Sequence, residues 1–95
     1  MPPAAGGSTA WRQNDTALIR RTPRSILIMA AGADEPLRLA GAAVTIWDEL
    51  ERATTDAALV DRVASRTGTE GSAIRDDVVA TRAALGHIGA ITEAR

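Results

Sequence analysis

The sequence predicts one small α+β domain, in which a three-stranded antiparallel sheet precedes a three-helix bundle. Its 95 residues suffice for a single core and leave no room for a second domain. Short β-branched-rich runs separated by turn-forming residues fill positions 16–39, which is typical of antiparallel strands. From residue 41 the apolar residues recur with the period of amphipathic helices.

The N-terminal stretch "MPPAAGGSTA" contains mainly Pro, Gly, Ala and Ser, and it shows no apolar periodicity. We predict a flexible tail over residues 1–10 and a folded domain over residues 11–95. Two interpretations remain open for Trp11, which either packs over the sheet or remains loose.

The first two strands are predicted as a hairpin over residues 16–30. Two apolar clusters lie on either side of "RRTPRS", where Pro23 and Ser25 favour a turn. The spacing predicts strands over residues 16–22 and 25–30.

The third predicted strand is the short run "LRL" at residues 37–39, which follows the loop-forming residues "AGADEP". Its side chains alternate apolar, charged and apolar, as in a strand with one buried face. Pro36 lies at its start, where a missing N–H is tolerated at a sheet edge. Such a short strand is an edge, which a protein either protects or uses for pairing. Leu37 and Leu39 are therefore either core residues or part of a surface beside that edge.

Three amphipathic helices follow the strands. Their apolar stripes are Ala43, Ile46, Trp47 and Leu50; Leu59, Val60, Val63 and Ala64; and Ile74, Val78, Thr81, Leu85 and Ile88. Thr55 and Ser72 are the expected N-caps of the second and third helices, and Gly68 and Gly89 the expected stops. The short Gly-containing turn between these two helices gives the domain a winged helix-turn-helix-like order.

Composition excludes several classes of site. The formal net charge is −1, and this near-neutral balance argues against a phosphate-binding face. All eleven basic residues are Arg. The chain has no Cys, and its single His87 cannot hold zinc alone, so we expect no metal and no cofactor. No apolar stretch approaches the ~20 residues of a membrane span, and no signal-like segment is present, so a cytoplasmic location is expected.

Catalytic patterns are also missing from the sequence. His87 has no Ser within a nucleophile motif to act on, and Asp76 and Asp77 are helix neighbours that point to different faces. We therefore expect a protein that is not an enzyme.

The segment "SILIMAAGADEPLRLAGAAVTIWDELERATTDAALVDRVASRTG", followed by "IRDDV" and "GAI", resembles the PqqD-like family of peptide-binding proteins. The resemblance covers about residues 16–92 and depends on the order and separation of these pieces. It implies a recognition element for ribosomally synthesised, post-translationally modified peptides. In that family the precursor's leader segment joins the sheet as an extra strand, beside a groove walled by the third helix. The domain then presents the precursor to a radical SAM enzyme, a protease or a cyclase.

Carried over to this chain, the resemblance implies a binding surface on strand three and helix three. The implied residues are Leu37, Arg38, Leu39, Arg75, Val78, Val79 and Arg82. Where the family has apolar residues in helix three, this chain has Thr81 and Arg82, with Gly86 beyond them. Either the helix is displaced in register, with Ile88 filling in, or Arg82 lines the groove.

Positive charge is in excess in the part of the chain that contains the expected peptide-binding strand. Residues 10–40 carry five Arg against three acidic residues, whereas residues 41–95 carry six Arg against nine. Arg suits fixed carboxylate contacts, so we expect a leader with at least one Asp or Glu near its apolar anchors.

Two other functions fit the same order of elements. A winged-helix DNA-binding domain is disfavoured because Asp76 and Asp77 lie in the would-be recognition helix. An adaptor would use the edge strand to pair with a protein or with its own copy. We expect a monomer or a weak dimer that binds neither nucleic acid nor a membrane.

Overall fold

The computed structural model describes residues 9–94, which form an α+β fold. The strands are β1 (Ala10–Gln13), β2 (Leu18–Arg21), β3 (Ser25–Met29), β4 (Leu37–Ala40), β5 (Thr54–Thr55) and β6 (Ile91–Ala94). The helices are α1 (Ala42–Glu49), α2 (Asp56–Thr67) and α3 (Gly71–His87). The strands form two three-stranded antiparallel sheets, of which the sequence predicted one.

The predicted sheet is present, and we call it the hairpin sheet (β2, β3 and β4, in the order β2-β3-β4). Ile26 lies opposite Leu39 and Ile28 opposite Leu37, so these side chains share the face towards the helices. The predicted turn closes β2 onto β3, since the Thr22 N–H donates to the Ser25 carbonyl at 2.9 Å. Within the hairpin sheet, the number and order of the strands agree with the prediction, and β2 and β3 are shorter than predicted.

The second sheet was not predicted, and we call it the terminal sheet (β5, β1 and β6, in the order β5-β1-β6). Trp11 of β1 lies opposite Thr54 on one side and Glu93 on the other. Ala10, the last residue of the predicted tail, is the first residue of β1. The rest of that predicted tail, residues 1–8, lies outside the described residues.

Local signals explain both ends of α2. The Thr55 hydroxyl accepts from the Ala58 N–H at 3.2 Å, which confirms the predicted cap of α2. Gly68 ends α2 with φ of 69°, a left-handed conformation that favours glycine. The predicted cap of α3 is wrong, because Glu70 holds the N-cap position without a side-chain hydrogen bond and Ser72 lies inside the helix.

The core lies between the hairpin sheet and the three helices. All three predicted apolar stripes contribute to it, and Trp47, which is 2% exposed, is its largest side chain. The other fully buried large residues are Ile26, Ile28, Leu50, Leu59, Leu85, Val63 and Val78. The helical part of the prediction is therefore confirmed at the level of which faces are buried.

Candidate functional site

The edge strand β4 is the first half of the expected site. Sheet order places it at the rim of the hairpin sheet, and no strand within residues 9–94 pairs with its other side. An antiparallel edge strand directs every second N–H and C=O group away from its partner. The Leu39 side chain is buried, Leu37 is half-buried against the core, and Arg38 is exposed. The leucines of β4 are thus core side chains, while its main chain remains open to pairing.

The opposite edge of the same sheet has a different character. All four residues of β2 are exposed, and the strand ends in two consecutive arginines, Arg20 and Arg21. A second basic strand laid along this edge would meet that charge, which is a common means of protecting an edge. Strand β4 carries one arginine between two leucines, so it presents less charge to an incoming strand.

The face of the hairpin sheet that points away from the helices is partly apolar. Arg20 pairs with Leu27, and Leu27 pairs with Arg38, so these three side chains form one row across the strands. Leu18 and Met29 form the neighbouring row. We call these five residues the outer face. A shallow concavity of about 400 Å³ opens here, lined by Leu18, Ile19, Arg20, Leu27, Met29 and Pro36.

The arginines of the hairpin sheet differ in what they contact. Arg21 points to the helix side, where its Nη2 lies 2.7 Å from Oδ1 of Asp48 in α1. Arg20 and Arg38 point to the outer face, and neither forms an ion pair with any residue in the described chain. The outer face therefore carries two cations without carboxylate partners among residues 9–94.

Helix α3, the second half of the expected site, contributes less than the resemblance implied. Val78 is 1% exposed and belongs to the core, so its side chain does not line a surface. Val79 is half-buried and Arg75 is exposed, so both remain candidates. α3 packs mainly on α2, with further contacts to α1 and β6.

Arg82 has a structural role that corrects the expected one. Its Nε and Nη2 donate to the two carboxylate oxygens of Asp56 at 2.8 and 2.9 Å. Its guanidinium carbon also lies 4.8 Å from the ring centroid of Trp11. Both members of the ion pair are about four-fifths buried, with side chains 17% and 21% exposed. Arg82 therefore links α3 to α2 through Asp56 and to the terminal sheet through Trp11. Its guanidinium is already paired and is not free to bind a leader carboxylate.

The indole of Trp11 also lies beside Gly86 of α3. A Cβ added at Gly86 would lie 3.6 Å from Cζ3 of Trp11, which is an ordinary contact distance, so the indole is next to this turn of the helix. Trp11 thus packs against α3 rather than remaining loose. No local sequence pattern predicts the contact between Trp11 and Arg82, because the two residues come from opposite ends of the chain.

Two further concavities open on the surface of residues 9–94. One of about 910 Å³ lies beside β1 and β6, with a polar lining of mixed charge that includes Arg12, Asp15, Glu51 and Glu93. The other, of about 510 Å³, lies between the β2–β3 turn and the start of α1. Neither lies between β4 and α3. The second is lined by Arg21 and Arg24 and by no acidic residue, and Arg21 is already paired with Asp48.

Comparison with known proteins leaves the expected family as a prediction. No protein-family model and no curated protein matches the chain. Within residues 9–94, no group of three or more His, Cys, Asp or Glu side chains is placed to hold a metal ion. No helix in that range combines the length and the apolar character needed to cross a membrane.

Proposed function

We propose that this protein binds the leader segment of a ribosomally made precursor peptide by β-strand addition to β4. It would then present the precursor to a modifying enzyme, such as a radical SAM enzyme, a protease or a cyclase, and would itself catalyse nothing. The observation that carries the proposal is the open edge of β4, where the exposed Arg38 stands between two inward-facing leucines. We place this activity in the cytoplasm, where such a precursor is synthesised.

Main-chain pairing supplies affinity that depends little on sequence. An extended peptide beside β4 extends the hairpin sheet from three strands to four, and each inter-strand hydrogen bond satisfies a group that otherwise faces solvent. Because the leucines of β4 already face the core, the peptide meets the strand through its backbone.

Side-chain alternation gives the proposal a sequence preference. A peptide residue opposite Arg38 lies on the outer face, so a carboxylate there forms a cross-strand ion pair. The peptide residues before and after it lie on the side of Leu37 and Leu39, where apolar side chains extend the core. We therefore expect the leader to contain the pattern apolar–acidic–apolar. Arg38 takes the role that the family resemblance suggested for Arg82.

The proposal is tested by titrating the protein with the leader segment of the small precursor encoded beside it, while backbone amide shifts are recorded. We expect saturable binding, with the largest shifts on residues 36–40. A series of leader peptides, each N-methylated at one amide, then tests the pairing itself. In strand addition every second amide of the peptide faces β4, so the loss of affinity should alternate along the peptide. The neighbouring amide in the same peptide is the matched control.

Two outcomes would contradict the proposal. Equal losses at every methylated position would show that the peptide does not pair as a strand. Salt-dependent shifts on adding duplex DNA, with no saturable peptide binding, would favour a winged-helix DNA-binding domain instead.

A further inference from the structure

The large exposed apolar side chains of the described chain are concentrated on one strand. Leu18 is 72% exposed and Ile19 is 40% exposed, and both belong to β2. On the outer face, Leu18 adjoins the half-buried Leu27 and Met29. Contiguous exposed apolar surface bordered by charge is typical of protein-docking sites.

Within residues 9–94, no helix or strand covers this surface. The helices pack on the opposite side of the hairpin sheet, where Ile26 and Ile28 are buried. Residues 1–8, "MPPAAGGS", contain no acidic residue and only one large apolar residue, Met1. They therefore lack the charge that would complement Arg20 and Arg38.

We propose that the outer face is a docking surface for an acidic amphipathic helix of a partner protein. The argument starts from the row Arg20, Leu27 and Arg38, which places a cation on each side of an apolar centre. Adjacent strands lie about 4.8 Å apart, so the two arginine backbones are separated by about 10 Å. Two helix residues seven positions apart are separated by about 10.5 Å. A helix lying across the three strands thus brings two carboxylates opposite the arginines and the apolar residues between them onto Leu27.

This surface overlaps the site of strand addition only at Arg38. Strand addition uses the main chain of β4, with Arg38 as its one outer-face side chain, whereas the helix contacts the whole row from Arg20 to Arg38. A helix and a leader strand therefore share Arg38. Arg20, on the far strand β2, belongs to the outer face alone and is the residue on which a test should depend.

The test uses a synthetic helical peptide with two glutamates about seven residues apart and leucines between them on the same face. A peptide of the same composition, with both glutamates on the opposite face, is the matched control. We expect saturable amide shifts on β2 and β3 with the first peptide only. Arg20→Glu should weaken binding about ten-fold, since it removes one ion pair and introduces a repulsion. Arg24→Glu makes the same charge change in the exposed β2–β3 turn and should alter affinity less than about two-fold.

Three results would overturn the proposal. The first is equal binding of the two peptides, and the second is no saturable binding of either. The third is concentration-dependent self-association in sedimentation that Arg20→Glu abolishes, because a second copy would then be the occupant. Arg20→Glu should leave binding of the leader segment unchanged, so failure here is distinguishable from failure of strand addition.

Discussion

The two sheets of this domain are similar in size but differ in how they are assembled and in what their arginines do. The hairpin sheet is built from strands that are adjacent in the chain, within residues 18–40. The terminal sheet joins β1 near the start, β6 near the end and the two residues of β5 between them. At the terminal sheet Arg82 is held by Asp56 and Trp11, whereas Arg20 and Arg38 on the hairpin sheet have no carboxylate partner in the described chain.

This difference gives Arg82 a role in stability and leaves Arg20 and Arg38 available for recognition. A planar guanidinium that meets a carboxylate bidentately and stacks on an indole is fixed in place and stabilises the fold. A guanidinium on an exposed sheet face retains its hydration and stays available to a partner. The domain thus uses arginine to stabilise the contact between α3 and the terminal sheet and, in our proposals, to bind partners at the hairpin sheet.

The largest effect on the terminal sheet is expected for Trp11→Ala. The indole packs on α3 at Gly86 and lies beneath Arg82, so its loss should lower the free energy of unfolding by about 3 kcal/mol. Trp11→Phe keeps an aromatic ring and should cost about 1 kcal/mol. Urea denaturation measures both. Equal stability of Trp11→Ala and the wild type would mean that the contact between the terminal sheet and α3 contributes little to the free energy of unfolding.

A smaller effect is expected for Arg82→Ala, at about 2 kcal/mol, because it leaves the partly buried Asp56 unpaired. Arg75→Ala, at an exposed position of the same helix, is the control and should stay within about 0.5 kcal/mol of the wild type. Since Arg82 also contacts the Trp11 ring, the double variant with Trp11→Ala should cost less than the sum of the single changes. If Arg82→Ala leaves stability unchanged and reduces leader affinity, Arg82 belongs to a binding groove after all.

The two sheets also mark how far sequence reasoning extends. The hairpin sheet follows from local signals, since the turn at Pro23 and the alternation of residues 37–39 are visible within a few positions. The pairing of β1 with β6 joins Trp11 to Glu93, and no local pattern encodes such a distant contact. The role of Arg82 was missed for the same reason. The buried faces of the helices were predictable because apolar periodicity is local.

On the hairpin sheet, Arg38→Glu should weaken binding of an acidic leader about ten-fold, since a cross-strand attraction becomes a repulsion. The free energy of unfolding should change by less than about 0.5 kcal/mol, because Arg38 is exposed and has no ion-pair partner in the described chain. Arg24→Glu is the matched charge change outside the strand. Calorimetric titration measures the affinities. Equal weakening by both variants would indicate a general charge effect rather than a contact at β4.

The smallest effects are expected at Thr55 and Ser72, which the sequence predicts as the N-caps of two helices. Thr55, at the end of the terminal-sheet strand β5, accepts a hydrogen bond from the Ala58 N–H, so Thr55→Ala should cost about 1 kcal/mol. Ser72 lies inside α3, where no capping bond is formed, so Ser72→Ala should be neutral within about 0.3 kcal/mol. Thermal and urea unfolding distinguish the two. A cost at Ser72 equal to that at Thr55 would mean that α3 begins two residues later in solution, with Ser72 rather than Glu70 as its cap.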